Sequence, residues 1–149
     1  MSGAAYFRLA AAEDAAEMAA LDRRAFRFPW KRSFFVDAIQ NGYPSILLCI
    51  DKKIIGQSIY RCIFDEAEIL TFCVDPDYQG KGWGRTLLAH TVAQMAAGGI
   101  KKIFLEVRVS NVNAIRLYVK SGFKVISTRK GYYESDSGRE NAYIMQKSL

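Results

Sequence analysis

With 149 residues, half of them apolar, the chain can bury a sizeable core and has the length of one domain, expected to span 1–149. Its net charge of +6 comes from lysines and arginines interspersed with acids, so no dense basic block predicts direct binding to nucleic acid, although a small anionic ligand would gain from the field. The N-terminal Met1-Ser-Gly-Ala-Ala-Tyr lacks a basic region followed by an apolar run, and no later run is long enough to cross a bilayer; the expectation is a soluble, cytoplasmic protein without a membrane partner.

Tyr6 to Leu9 reads as a short strand, and Glu13 to Ala25 as a helix with Met18, Leu21 and Ala25 on one stripe. Phe28-Pro29-Trp30 breaks that helix. Arg32 to Gln40 forms a second one, closed by Asn41-Gly42. Ser45 to Ile50 and Ile54 to Ile63 make an antiparallel hairpin across Asp51-Lys52-Lys53, and Ala67 to Val74 is a further strand. After a glycine-rich turn, a helix carries Leu87, Leu88, Val92 and Met95 on one side and stops at Gly98-Gly99. Lys102 to Val109 is a strand. Ala114, Leu117, Tyr118 and Ser121 then share a helical face that Gly122 ends. Phe123 to Thr128 returns to a strand, and Ala142 to Gln146 closes the sheet after a polar excursion from Lys130 to Asn141. A mostly antiparallel start of this kind argues against a doubly wound dinucleotide fold, which alternates strand and helix from the beginning.

Cys49, Cys62 and Cys73 all lie in apolar strand-like runs without C-x-x-C or metal-type spacing. They read as buried thiols in a reducing compartment, and no metal is expected.

The stretch Glu68 to Leu88 organises the chain: a strand through Val74, a turn set by Pro76, glycines at 80, 82 and 84, then a helix. Glycines let the backbone approach a ligand closely, and the first amides of a helix have no internal partner, so loop and helix start together suit a phosphate. A Walker A loop would need glycine where Gln79 stands and lysine where Arg85 stands. A dinucleotide fingerprint would follow its strand directly, whereas Asp75 to Gln79 intervene.

In Ile103-Phe-Leu-Glu-Val-Arg-Val109 a single carboxylate interrupts an apolar strand, a costly placement unless it is paired, hydrated or used. Glu106 is therefore a candidate for chemistry; the structural alternative is a pair with Arg108 on the same strand face. Tyr118 is a second candidate, its alternative a core aromatic on the helix stripe. The sole histidine, His90, is offset from the apolar face of its helix and reads as a surface residue, which argues against a covalent acyl-enzyme built on it.

Gln79-x-x-Gly82-x-Gly84, Leu105-Glu-Val-Arg108, Ser110-Asn-Val-Asn-Ala-Ile-Arg-Leu-Tyr118, Tyr132-Tyr133 and Gly138-Arg-Glu-Asn-Ala142, in this order, resemble the RimI-like ribosomal-protein-alanine N-acetyltransferases of the GNAT superfamily. The resemblance runs from about Phe28 to Met145. It implies an α/β (α+β) fold with a mixed sheet of about seven strands flanked by four helices, and acetyl-CoA as cosubstrate. It further implies Glu106 as general base and Tyr118 as general acid. Phe72, Cys73 and Val74 would hold the pantetheine arm through their backbone; Gln79, Gly80, Lys81, Gly82, Trp83, Gly84 and Arg85 would wrap the pyrophosphate; Asn111 would contact coenzyme A. Tyr132 and Tyr133 would wall the peptide entrance. The implied partner is the N-terminus of a ribosomal protein. Two positions depart from the family: Lys31 stands where a serine would cap the second helix, and Asn141 where aspartate is common, which removes a charge near the presumed entrance.

These residue types suit the reaction. A carboxylate must take the amine's proton before the amine can attack a thioester, and a tyrosine can protonate the departing thiolate. A terminal α-amine, with a pKa of about 7.7 to 8.0, is easier to neutralise than lysine at about 10.4 by roughly 3.4 kcal/mol. Glu68 is a competing base. Lysine side chains or small amines are alternative acceptors, and a non-catalytic nucleotide-binding module is the alternative of another class.

Overall fold

A computed structural model describes residues 3–149. Met1 and Ser2, on which the expectation of no leader partly rests, lie outside the described residues. The elements follow as β1 (Ala5–Leu9), α1 (Ala15–Ala25), α2 (Arg32–Gln40), β2 (Ser45–Ile50), β3 (Lys53–Ile63), β4 (Glu66–Val74), α3 (Trp83–Ala97), β5 (Lys102–Arg108), α4 (Val112–Lys120), β6 (Lys124–Ser135) and β7 (Gly138–Ser148). One seven-stranded sheet has the order β1-β2-β3-β4-β5-β7-β6. Every neighbouring pair is antiparallel except β4 beside β5.

Both faces of the sheet are covered. The buried stripe of α1 and α2, with Met18, Leu21 and Phe35, packs on Leu47, Cys49, Ile54 and Ile59. On the opposite face Leu87, Leu88 and Met95 of α3 and Tyr118 of α4 meet Ile69, Ile103, Leu105 and Met145. Each such side chain contributes about 1.5–3 kcal/mol by leaving water, so the sheet and its helices hold as one unit. The first helix begins later than its sequence pattern suggests, because Ala12–Asp14 is a 3-10 turn. The Asp14 carboxylate accepts the Ala11 amide at 2.7 Å and both Arg8 guanidinium nitrogens at 2.8 Å, which ties this turn to β1. Arg32 opens α2 after Lys31, which supplies no side-chain cap.

Strand β4 carries the feature that makes a site possible. Ile59 pairs with Thr71 but Tyr60 with Ile69, so Leu70 is an extra, unopposed residue: a β-bulge. The alternation of the strand changes there. Ala67 and Ile69 face α3 and α4 before the bulge, Phe72 after it. Pairing of β4 with β5 also ends at Ile69 beside Leu105, and the two parallel strands separate beyond that point.

Three expectations are corrected. The polar stretch from Lys130 to Asn141 is not a loop, because β6 and β7 continue through it to a tight turn between Ser135 and Gly138. Its polarity reflects exposure on a sheet edge, and the register shift between Arg129 and Tyr133 hides the alternation a strand would show. Cys62 is exposed, near the end of β3 where the strand's last residues leave the core; Cys49 and Cys73 are buried. His90 is not a bare surface residue, since its ring stacks on Phe7 with centroids 3.7 Å apart.

Candidate active site

Beyond Ile69 and Leu105 the separated strands open a cleft of about 1600 Å³, lined by Leu70 to Val74 on one side and Glu106 to Arg108 on the other. A strand that has lost its neighbour presents backbone amides and carbonyls without partners in the sheet, and an extended ligand can pair with them. Phe72, Cys73 and Val74 lie along this edge.

At the end of β4 the chain turns into α3 through a loop held from below. Asp75 is fully buried; its carboxylate accepts the Asp77 amide at 3.0 Å and pairs with Arg24 and, at 3.7 Å, with Lys53. Gln79 closes the neck of the loop by donating its side-chain amide to the Val74 carbonyl at 2.9 Å. Gly80 and Gly82 adopt φ of +76° and +88°, a region that side chains with a Cβ rarely enter. Gly82 is also the N-cap of α3 and offers no side-chain cap, so the amides of the first turn are left for a ligand. Gly84 sits inside that turn, close to Leu117 and Val74, and brings the helix tightly onto the strand end. This uncapped helix start and the unpartnered strand edge fit the pyrophosphate and the amide-bearing arm of acetyl-CoA. Among the loop positions, Gln79, Gly80 and Gly84 line the cleft, whereas Lys81 and Arg85 are exposed outside it and Trp83 packs against the core.

Glu106 and Tyr118 both line the cleft, and they reach it from different sides of the sheet. Ile103, Leu105 and Val107 point to the α3 and α4 core, so Glu106 points the other way, as strand alternation requires. Its side chain is 21% exposed, and its carboxylate accepts the Arg129 guanidinium at 3.1 Å. The expected partner Arg108 pairs instead with Glu140 of β7 at 2.9 Å. The reason is register: the guanidinium lies across the β5–β7 seam from the strand end that carries Glu140. Tyr118 comes from the α4 side, its ring edge-on to Phe72 and Phe123. Burial drives its phenol pKa far above the ordinary value, so the hydroxyl stays protonated and able to donate.

Tyr132 and Tyr133 line the outer part of the cleft, 4.8 Å apart edge to face. Tyr132 lies under the Arg129 guanidinium, and burial with the nearby Glu106 charge pushes Tyr133 up to about 12. Facing them is the α1–α2 loop with Phe28, Pro29 and Trp30. That loop is fastened by Asp22, a buried carboxylate that accepts the Trp30 amide at 2.8 Å and the Gln57 side-chain amide at 3.3 Å. Cys73 lies 3.9 Å from the same carboxylate. Burial and the Asp22 charge keep the Cys73 thiol protonated, which removes it as a nucleophile.

Glu68, Asn111 and Asn141 each have a partner within the protein. Glu68 pairs with Arg61 at 2.9 Å and lines a small separate pocket beside Phe104. Asn111 lines the cleft, but its side-chain oxygen caps α4 by accepting the Ala114 amide at 3.2 Å. Asn141 accepts the Gly131 amide at 3.0 Å, pinning the irregular part of the β6–β7 pair, and does not line the cleft. Asp22 and Arg129 escaped the sequence reading. An acid beside Arg23 and Arg24 on a helix, and an arginine in a polar run, both look like solvated surface.

A bulged strand parting from a parallel neighbour, an uncapped helix start at its end, and a carboxylate and a protonated phenol in the opening define an acyl-transfer site. The profile of the acetyltransferase (GNAT) family matches residues 15–123, and the chain belongs to that family, whose acetyl donor is acetyl-CoA. Within it the chain is similar to the ribosomal protein bS18-alanine N-acetyltransferase of Escherichia coli K12, at 38% identity over 125 residues, 84% of this chain and 84% of that protein. It is 36% identical over 126 residues to the protein of the same name from Haemophilus influenzae, covering 84% of this chain and 86% of that one. The crystal structure of the ribosomal-protein-S18-alanine N-acetyltransferase from Escherichia coli superposes with a TM-score of 0.93 at 33% identity, over 98% of this chain and 94% of the other. The mixed seven-stranded sheet with four helices is thus the one the motifs imply.

Proposed function

We propose that this chain acetylates the N-terminal α-amine of a ribosomal protein, an alanine in the reading that its relatives' names support, by direct attack within a ternary complex in the cytoplasm. The observation that carries the reading is Glu106, a carboxylate brought to the opening between β4 and β5 with Tyr118 lining the same cleft. Acetyl-CoA supplies the acetyl group as a thioester. The backbone of Phe72, Cys73 and Val74 holds the pantetheine arm, and the loop and helix start from Gln79 to Arg85 hold the pyrophosphate. Asn111 fixes the start of α4 beside them. Glu106 takes a proton from the acceptor amine, directly or through a water, and Tyr118 gives one to the departing sulfur. Tyr132 and Tyr133 form one wall of the acceptor entrance.

Incubation with acetyl-CoA and a panel of peptides that differ in their first residues, with free or blocked N-termini, tests the assignment by mass spectrometry. Acetyl found on the α-amine of alanine-initiated peptides is the expected result. Acetyl found only on lysine side chains, or on small amines and on no peptide, would overturn the acceptor assignment while leaving the family intact.

A further inference from the structure

Arg108 stands two residues from the proposed base, on the same strand, yet its guanidinium makes no pair with it. Its edge is held by oxygens: the Glu140 carboxylate at 2.9 Å and the Glu134 backbone carbonyl. It also lies over two rings, that of Tyr133 at 4.4 Å and that of Phe28 at 4.9 Å. A planar guanidinium can do both at once, because its donors radiate in the plane and its faces stack on aromatics; an ammonium cannot. The four groups belong to the start of β7, the end of β6 and the α1–α2 loop, so one side chain of β5 joins the two walls of the cleft's outer half. The ion pair is 22% and 18% exposed on its two sides, enough shelter from solvent for the contact to persist. Only one other ion pair crosses between these walls in the same region among the described residues, Arg27 with Asp136 at 3.0 Å, and both its side chains are 74% exposed. Exposed pairs of that kind hold weakly.

We infer that Arg108 is the positioning residue of the acceptor site: in contact with the rings of both Phe28 and Tyr133, it sets the spacing of the walls that receive the acceptor's N-terminal residues. It acts through Phe28 and Tyr133 and takes no part in proton transfer. The inference rests on the proposed peptide acceptor but makes separate demands. The substitution Arg108→Lys keeps the charge and loses the plane. It should raise the KM for an alanine-initiated peptide about fivefold or more, the scale of a partly sheltered cation–π contact, with kcat and the KM for acetyl-CoA changed by less than about twofold. Phe28→Leu, in a loop that carries little of the core, should do the same. The double variant should be little worse than either single one, because both remove the same wall spacing.

An unchanged peptide KM in both single variants, or fully additive effects in the double variant, overturns the inference. Equal losses toward peptide and acetyl-CoA, accompanied by a lower melting temperature, would show Arg108 to be a general fold brace and also overturn it. Glu106→Gln separates this question from the base assignment. If that variant keeps full turnover the base reading fails, while the peptide KM of Arg108→Lys still reports on the wall.

Discussion

At the scale of single residues, the site divides its work between groups whose environments differ. Glu106 keeps partial contact with solvent and has the Arg129 guanidinium beside it. Tyr118 is buried among aromatics, a condition that favours a neutral phenol. The buried phenol keeps its proton, as the proposed acid must, and the proposed base keeps the solvent contact through which a proton can leave. Glu106→Gln should lower kcat by about a hundredfold or more, the range typical of general base catalysis, with acetyl-CoA affinity by calorimetry unchanged. Equal loss of both would remove the base role. Tyr118→Phe keeps the ring in its packing, so stability should hold while kcat falls; unimpaired turnover with a natural thioester donor would exclude the phenol as acid. Glu106 was legible as an unusual carboxylate because a strand of apolar residues makes any charge conspicuous. Its neighbour was not, since Arg129 reaches it from a different strand whose register a linear pattern does not encode.

At the scale of elements, local backbone demands coincide with those of the proposed pyrophosphate site in the loop before α3. Gly82→Ala meets no atom within 4 Å, but its φ of +88° is strained for any Cβ, and the variant should lose about 1–2 kcal/mol in urea unfolding. Gly84→Ala is the contrasting case. Its methyl makes ordinary contacts with Leu117 at 3.4 Å and Val74 at 3.8 Å, and alanine is the better helix residue. Stability without ligand should be unchanged or slightly higher, while acetyl-CoA affinity falls because the methyl crowds the approach to the first-turn amides. A Gly84→Ala protein with undiminished affinity would place the pyrophosphate elsewhere. The turn before α1 gives a pH prediction. Arg8 holds the Asp14 carboxyl below its usual range, so the folded protein resists protonating it. That contribution is fully present above the unfolded pKa of about 3.9 and is lost as pH falls through the depressed folded value. Asp14→Asn should therefore cost about 1 kcal/mol at neutral pH, and the gap to the unsubstituted protein should close as the pH drops below about 4. A gap that stays constant down to pH 2 would show that the carboxylate charge contributes nothing.

At the scale of the whole molecule, the fold is a device for parting two parallel strands. The bulge at Leu70 ends their pairing, helices on both faces keep the sheet from closing the gap, and α3 begins where the opened strand ends. A ligand that binds only this native arrangement must stabilise it, by about 2.7 kcal/mol at a hundred times its Kd, which for a protein of this size raises Tm by several degrees. Coenzyme A and acetyl-CoA should produce that rise, and ATP or NAD alone should not; a rise with ATP or NAD only would favour a nucleotide-binding module over transfer chemistry. Helices with apolar stripes, the β2–β3 hairpin, the glycine turn and the lone carboxylate of β5 were written in the chain, because each is fixed by periodicity or by the chemistry of neighbours in sequence. The continuation of β6 and β7 through a polar stretch, the bulge, the exchange of Glu106's partner from Arg108 to Arg129, and the wall joined by Arg108 were decided only by tertiary structure. They depend on which strand lies beside which and in what register, and the free energy that selects a register is spread over contacts between segments far apart in the chain.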